Sequence, residues 1–186
     1  MLLNKLNVSE KGFVALLETT GNGRMLQDIQ DEYFKTKYSL RLLELSTATL
    51  VLKCPLFVQL NLSQCGLLVI STPTKEVEAY VPDLSEITGN TLEDREDMVD
   101  YIKVTTEALL LNQRGLPMDG ADNFTAQLLT PISVYSELIV KGSLRQWIQF
   151  LSQKNLPQQV EVYRLQVEYA LTSQWKNLKE LKTMLK

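Results

Sequence analysis

Apolar and polar positions alternate with two different periods along the chain, and the switch between them divides it into elements. Lys11-Gly12-Phe13-Val14-Ala15-Leu16-Leu17-Glu18 reads as a short strand, closed by the turn signal Gly21-Asn22-Gly23. From Met25 to Lys35 the apolar positions Met25, Leu26, Ile29 and Tyr33 fall at helical spacing. Leu40 to Leu45 suits a second short helix. Thr47 to Lys53 is β-branched and apolar, and predicts a strand that Pro55 ends, because proline cannot donate to a ladder. Pro55 is also placed to open a helix carrying Leu56-Phe57-Val58. Gly66 to Ser71 is a further apolar run, which predicts a buried strand stopped by Pro73.

The second half reads as mainly helical. Thr91 is a capping residue followed by Glu93 and Asp94, so a helix should start there. It should carry Met98, Ile102, Val104 and Leu109, run to about Asn112 and stop at Gly115. Another helix is expected near Ala121 to Leu129. Ser143-Leu144-Arg145-Gln146 fits a capping box, with Leu144, Trp147, Ile148 and Leu151 on one face of the helix that follows. Pro157 helps to open the last helix. Its apolar stripe of Val160, Val167, Leu171, Leu178, Leu181 and Leu185 implies a length of about 30 residues, with part of the stripe available to another subunit. Without a repeat, linker or low-complexity tract, residues 1–186 are expected as a single α+β domain, a small mixed sheet flanked by helices.

Composition narrows the chemistry. The chain has 186 residues, a formal charge of −3 and no histidine. Missing histidine excludes Ser-His-Asp and Cys-His catalysis, the HExxH zinc motif and Cys₂His₂ fingers. A mildly acidic chain is a poor general nucleic-acid binder. Cys54 and Cys65 match no metal-ligand spacing, and two cysteines do not make a disulfide framework. They read as reduced thiols of a cytoplasmic protein, although a bond between them is not excluded by sequence. The N-terminal segment lacks the apolar core of a signal peptide, and no run of about 20 apolar residues predicts a membrane span. Glu93, Asp94, Glu96, Asp97 and Asp100 read as a solvated helix start rather than a metal cluster. Lys176, Lys179, Lys182 and Lys186 suit a helix C-terminus. No metal set and no catalytic residue is assigned.

Several segments, in order, resemble the flavin-dependent thymidylate synthase family. Lys11-Gly12-Phe13-Val14 is similar to its opening strand, and Lys53-Cys54-Pro55-Leu56-Phe57-Val58 to its "K-x-P-I-F-V" junction. Tyr80-Val81-Pro82 matches "Y-x-P", and Pro131-Ile132-Ser133-Val134-Tyr135-Ser136 resembles "P-L-S-x-Y-T". The most specific piece is Val140-Lys141-Gly142-Ser143-Leu144-Arg145-Gln146-Trp147-Ile148-Gln149-Phe150-Leu151, which resembles "V-T-G-N-L-R-E-W-x-x-F-L". Gln158-Gln159-Val160-Glu161-Val162 resembles "A-Q-x-E-I".

The resemblance implies the family's fold, FAD as cofactor and deoxyuridylate as substrate. It also implies an oligomer, a homotetramer or an assembly with an intact homologue. It maps the flavin site onto Glu44, Asn61 and Gln64, and the nucleotide site onto Arg145, Gln127 and Arg164. The departures are as informative. The family's Arg-His-Arg falls on Gln64, Cys65 and Gly66; Gln127 and Tyr163 stand where arginines are expected, with Arg164 adjacent. Arginine clamps phosphate with a planar fork of charged donors that glutamine and glycine cannot copy. Each lost charged hydrogen bond weakens binding by about 1.5–3 kcal/mol. The expectation is therefore a degenerate, non-catalytic binding or partner subunit. The competing expectation is an active FAD-dependent enzyme that methylates deoxyuridylate, with Arg145, Arg164, Lys141 or Lys154 rebuilding the clamp.

Overall fold

Residues 3–8, 11–20, 43–72, 77–89, 91–175 and 178–184 are described by a computed structural model. The expected helix from Met25 to Lys35 and the start of the one at Leu40 lie outside these residues, as do Lys176, Leu185 and Lys186. Residues 43–45 are helical. Contacts gather the chain into two compact units, Met1–Cys54 with Val58–Thr74 and Ser136–Lys186, and Pro55–Phe57 with Lys75–Tyr135.

The first unit is built on a five-stranded sheet. Its strands are β1 (Leu3–Asn7), β2 (Phe13–Thr20), β3 (Thr47–Pro55), β4 (Leu68–Thr72) and β5 (Tyr135–Ser143), in the spatial order β1-β2-β3-β5-β4. β1 and β2 pair antiparallel, as do β2 with β3 and β4 with β5. Leu144 N donates to Ser46 O at 2.7 Å beyond one end of the β3–β5 pair, and Leu56 N donates to Val134 O at 3.0 Å beyond the other, so these strands also run opposite ways. The α+β class is as expected, and the sheet is antiparallel. Val14, Ala15 and Leu16 of β2, Leu50 and Leu52 of β3, and Leu138 and Val140 of β5 are buried in the core.

β4 departs from its expected burial. Its composition suits a central strand, yet it closes the sheet at one edge, with Leu68 and Ile70 exposed. An apolar run is read as buried because most are; position within a sheet depends on strand order, which a local pattern does not carry.

Besides the helical residues 43–45, the described residues of this unit include, wholly or largely, the helices α1 (Leu56–Gln64), α4 (Leu144–Leu151), α5 (Gln158–Thr172) and α6 (Leu178–Met184). α4 buries Leu144, Trp147, Ile148, Phe150 and Leu151. The long terminal helix is two helices, broken between Thr172 and Leu178. At the break Thr172 Oγ1 donates to Glu168 O at 2.7 Å and Ser173 Oγ to Ala170 O at 2.6 Å. Side chains of this type compete with the helix ladder for backbone partners. Trp175 is buried at the corner, and Lys182 Nζ lies 3.0 Å from Glu168 Oε2, tying α6 back to α5. Leu178 and Leu181 are thereby buried in their own chain, not left for another subunit.

The second unit carries α2 (Leu92–Gly115), α3 (Asn123–Gln127) and a 3₁₀ turn at Leu84–Glu86. Thr91 caps α2 as expected: its side chain accepts from Asp94 N, and Asp94 Oδ2 accepts from Thr91 N, both at 3.0 Å. α2 runs through Gly115, yet Thr106 alone of its described residues is fully buried. α3 is shorter than expected and is capped by Asp122. Among the described residues no helix is long and apolar enough to cross a membrane.

Candidate functional site

Ser143 ends β5 and begins α4, and the capping box around it shapes the site. Its Oγ accepts from Gln146 N at 3.3 Å, and Gln146 Oε1 accepts from Ser143 N at 2.8 Å. Gln146 then spends its amide on a distant loop, with Nε2 donating to Gly66 O at 2.5 Å. Gly66 terminates α1 with a φ of 72°, in the left-handed region where glycine carries no steric penalty. One glutamine thus closes its own helix and holds the turn after α1.

Gly142 has a different reason to be glycine. A Cβ there would lie 2.2 Å from Leu67 Cδ2, so β5 and the residue before β4 approach too closely for a side chain. Gly142→Ala is expected to cost about 1–3 kcal/mol by overpacking, read as a lower urea midpoint at unchanged slope. An unshifted midpoint would mean that Leu67 moves aside without penalty.

Arg145 faces outward from the motif, as do Lys141 and Gln149. Its Nη1 lies 2.8 Å from Glu44 Oε1, and both side chains are about half exposed. Glu44 was mapped to the flavin and Arg145 to the nucleotide, and the fold brings them together across 101 residues of sequence. With Cys65, Ser143, Gln146 and Gln149 they line a cavity of about 470 Å³.

The remaining mapped residues are distributed differently. Gln64 is exposed at the end of α1, and Asn61 is half-buried one turn earlier. Gln127 is exposed at the end of α3, in the second unit. Arg164 is buried on α5, where its guanidinium is divided among three acceptors. Nε donates to Glu161 Oε2 at 2.7 Å and Nη2 to Glu161 Oε1; Nη1 donates to Glu168 Oε2 and Leu151 O, both at 3.0 Å. These contacts hold Glu161 below the usual carboxylate range, chiefly through the Arg164 hydrogen bond, and raise Arg164 for the same reason. Lys141 and Lys154 are exposed, and neither lines the cavity.

Neither thiol is poised for attack. Cys54 and Cys65 are free and buried, and burial pushes both up from their ordinary value, leaving little thiolate at neutral pH. Gln153 Nε2 donates to Cys65 Sγ at 3.2 Å. In the second unit Tyr80 donates its hydroxyl to the Glu86 carboxylate and meets the rings of Phe57 and Tyr135 edge-on. Burial first, and Glu86 second, raise its phenol and keep it protonated. Among the described residues no three metal-ligating side chains converge.

The cavity does not fit the cofactor that the resemblance implies. FAD carries a doubly charged pyrophosphate, and binding it needs converging cations or free backbone donors. Among the described residues of the lining one cation, Arg145, is matched by one carboxylate, Glu44, so their formal charges cancel. The Gln146 amide at the start of α4 is already engaged by Ser143.

The sequence alone did not indicate the Gln146–Gly66 bridge or a cavity containing Gln149. The available signal was Gly66 itself, a glycine just past a helix end.

No family model matches the chain, and no curated protein does. Among solved structures it is similar to two crystal structures of the UMP/dUMP methylase PolB from Streptomyces cacaoi. The complex with 5-Br UMP aligns with a TM-score of 0.77 at 17% identity, covering 94% of this chain and 95% of that one. The complex with 5-Br dUMP aligns at 0.75 and 17%, covering 94% and 96%. At this identity the likeness establishes the fold.

Proposed function

We propose that this chain is a thymidylate synthase-like subunit of the uridine-nucleotide class that has lost its own flavin chemistry and acts as a non-catalytic binding or partner subunit. PolB acts on UMP and dUMP, and the resemblance read from the sequence implies the same kind of nucleotide. The observation that carries the degenerate reading is the state of the two mapped arginines. Arg164 is buried and shared among Glu161, Glu168 and a backbone carbonyl. Arg145 is paired with Glu44, and the stretch from Gln59 to Ser71 contains no cation at all.

One observation favours the alternative, an FAD-dependent enzyme that modifies dUMP with a rebuilt site. The Arg145–Glu44 pair is half exposed at a cavity, and such pairs are worth only about 0–1 kcal/mol. A nucleotide phosphate could therefore displace Glu44 at little cost.

The deciding experiment is absorbance near 450 nm after FAD addition and desalting, with and without dUMP. The expected result is no retained flavin in either sample, from protein that is folded by circular dichroism. Flavin retained, and retained more tightly with dUMP, would overturn the degenerate reading.

A further inference from the structure

We propose that the groove between residues 87–89 and the first part of α2 is a docking site, and that its occupant is a basic amphipathic helix of another protein. The groove is a cavity of about 870 Å³ lined by Ile87, Asp94, Asp97, Met98, Tyr101 and Ile102 among others. The five α2 residues share one face of that helix, at successive spacings of three, one, three and one. A face of this spacing receives a second helix whose own anchors repeat once per turn. Met98 and Tyr101 are 47% and 74% exposed, so an adaptable thioether and an aromatic ring stand open to solvent there.

Charge sets the chemistry of the occupant. Asp94 and Asp97 lie in the lining, and Glu93, Glu96 and Asp100 flank them, against Arg95 and Lys103 as the cations of that stretch. Arg95 is half-buried, and its Nε donates to Thr91 O at 3.3 Å, at the start of the helix. Asp94 accepts from the Thr91 amide through Oδ2, whereas Asp97 is exposed and in no ion pair among the described residues. An apolar strip bordered by carboxylates is complementary to a helix that sets Leu- or Phe-sized anchors beside Lys or Arg. The same carboxylates steer the encounter and reject acidic competitors.

The described residues of this chain do not supply such a helix. Among the described helices α4 and α6 alone carry more cations than carboxylates. Both bury their apolar faces within the chain: Leu144, Trp147 and Leu151 in α4, Leu178 and Leu181 in α6. The occupant therefore comes from a different protein. The groove shares no lining residue with the Arg145 cavity, so the inference is independent of flavin or nucleotide binding there.

Fluorescence anisotropy of the full chain with a labelled helical peptide tests this. The probe has about 14 residues, with Leu at i, i+3, i+4 and i+7 and Lys at the flanking positions. A Kd on the order of micromolar is expected. A peptide with Glu in place of Lys, and a scrambled Leu–Lys peptide, should each bind at least about tenfold more weakly. Asp97→Lys and Met98→Lys should each weaken the Leu–Lys peptide at least about tenfold. Glu107→Lys makes the same charge change on α2 outside the groove and should stay within about twofold. Urea midpoints equal to the parent's would show that these surface changes leave the fold intact. Absence of binding by the Leu–Lys peptide would overturn the proposal. So would equal binding of the scrambled peptide, or equal losses for Glu107→Lys and Asp97→Lys, because either reduces the contact to general attraction between charges. Displacement of the peptide by an equal concentration of spermine would overturn it too, in favour of a small cation.

Discussion

Arg164→Met is expected to lower the free energy of unfolding by about 3–5 kcal/mol, the usual penalty for removing one partner of a buried charged network. The methionine keeps much of the volume, so the loss reports on polar contacts rather than on a cavity. It leaves Glu168, which is largely buried, with Lys182 as its one remaining cationic partner among the described residues, and takes the Arg164 donor from the Leu151 carbonyl. Arg164→Lys should fall between the two proteins, because an ammonium lacks the planar fork that bonds Glu161 twice. The measurement is the urea midpoint, with circular dichroism and tryptophan fluorescence as independent probes.

The same network predicts a pH dependence with a definite sign. Glu161 is held below its ordinary value of 4.5 in the folded chain, so the unfolded chain binds a proton there first. The stabilisation is present above that ordinary value and is lost as pH falls through the lower folded one. Parent protein should lose this increment on acidification, and Arg164→Met should show a flatter acid limb. A cost below about 1 kcal/mol with an unchanged acid limb would mean the guanidinium is not structurally committed, and would return Arg164 to the nucleotide site.

Trp147→Ala is expected to cost about 3–5 kcal/mol. Trp147 is fully buried and meets Phe150 edge-on at 6.5 Å. Its Nε1 donates to Ala48 O at 3.2 Å, so truncation opens a cavity and removes a donor from β3 in one step. Trp147→Phe keeps most of the volume and should cost about 1–2 kcal/mol, chiefly for the lost hydrogen bond. Similar losses for the two variants would mean that the hydrogen bond, not the packing, dominates. This residue belongs to the most specific part of the family resemblance, and in this chain its role is to pin α4 against the sheet.

Legibility in the sequence followed the range of the interactions. The caps at Thr91 and Ser143 were readable because donor and acceptor lie three residues apart. The buried face of α4 was readable because Leu144, Trp147, Ile148 and Leu151 follow the helical period. β4 was not, because its edge position depends on which strand lies beside β5. The break after Thr172 was missed because an apolar stripe continues across it, with Leu178 and Leu181 resuming the pattern once the chain has turned back. For the candidate site, Glu44 and Arg145 were named separately, on different ligands, and only the fold makes them partners.

By itself, then, the sequence determined the types of β2, β3, β4 and of the capped helices, the helix caps, the exclusion of histidine chemistry and the missing cations between Gln59 and Ser71, but not the strands β1 and β5. These are matters of composition and of neighbours within a few residues. Tertiary structure alone decided that Arg164 is used inside the chain, that Gln146 reaches Gly66 and that Thr106 is the one buried residue among those described in α2. The physical reason is that a charged side chain is equally compatible with a ligand phosphate and with a buried carboxylate. Which one it serves depends on groups brought close by chain folding, and local pattern carries no record of them.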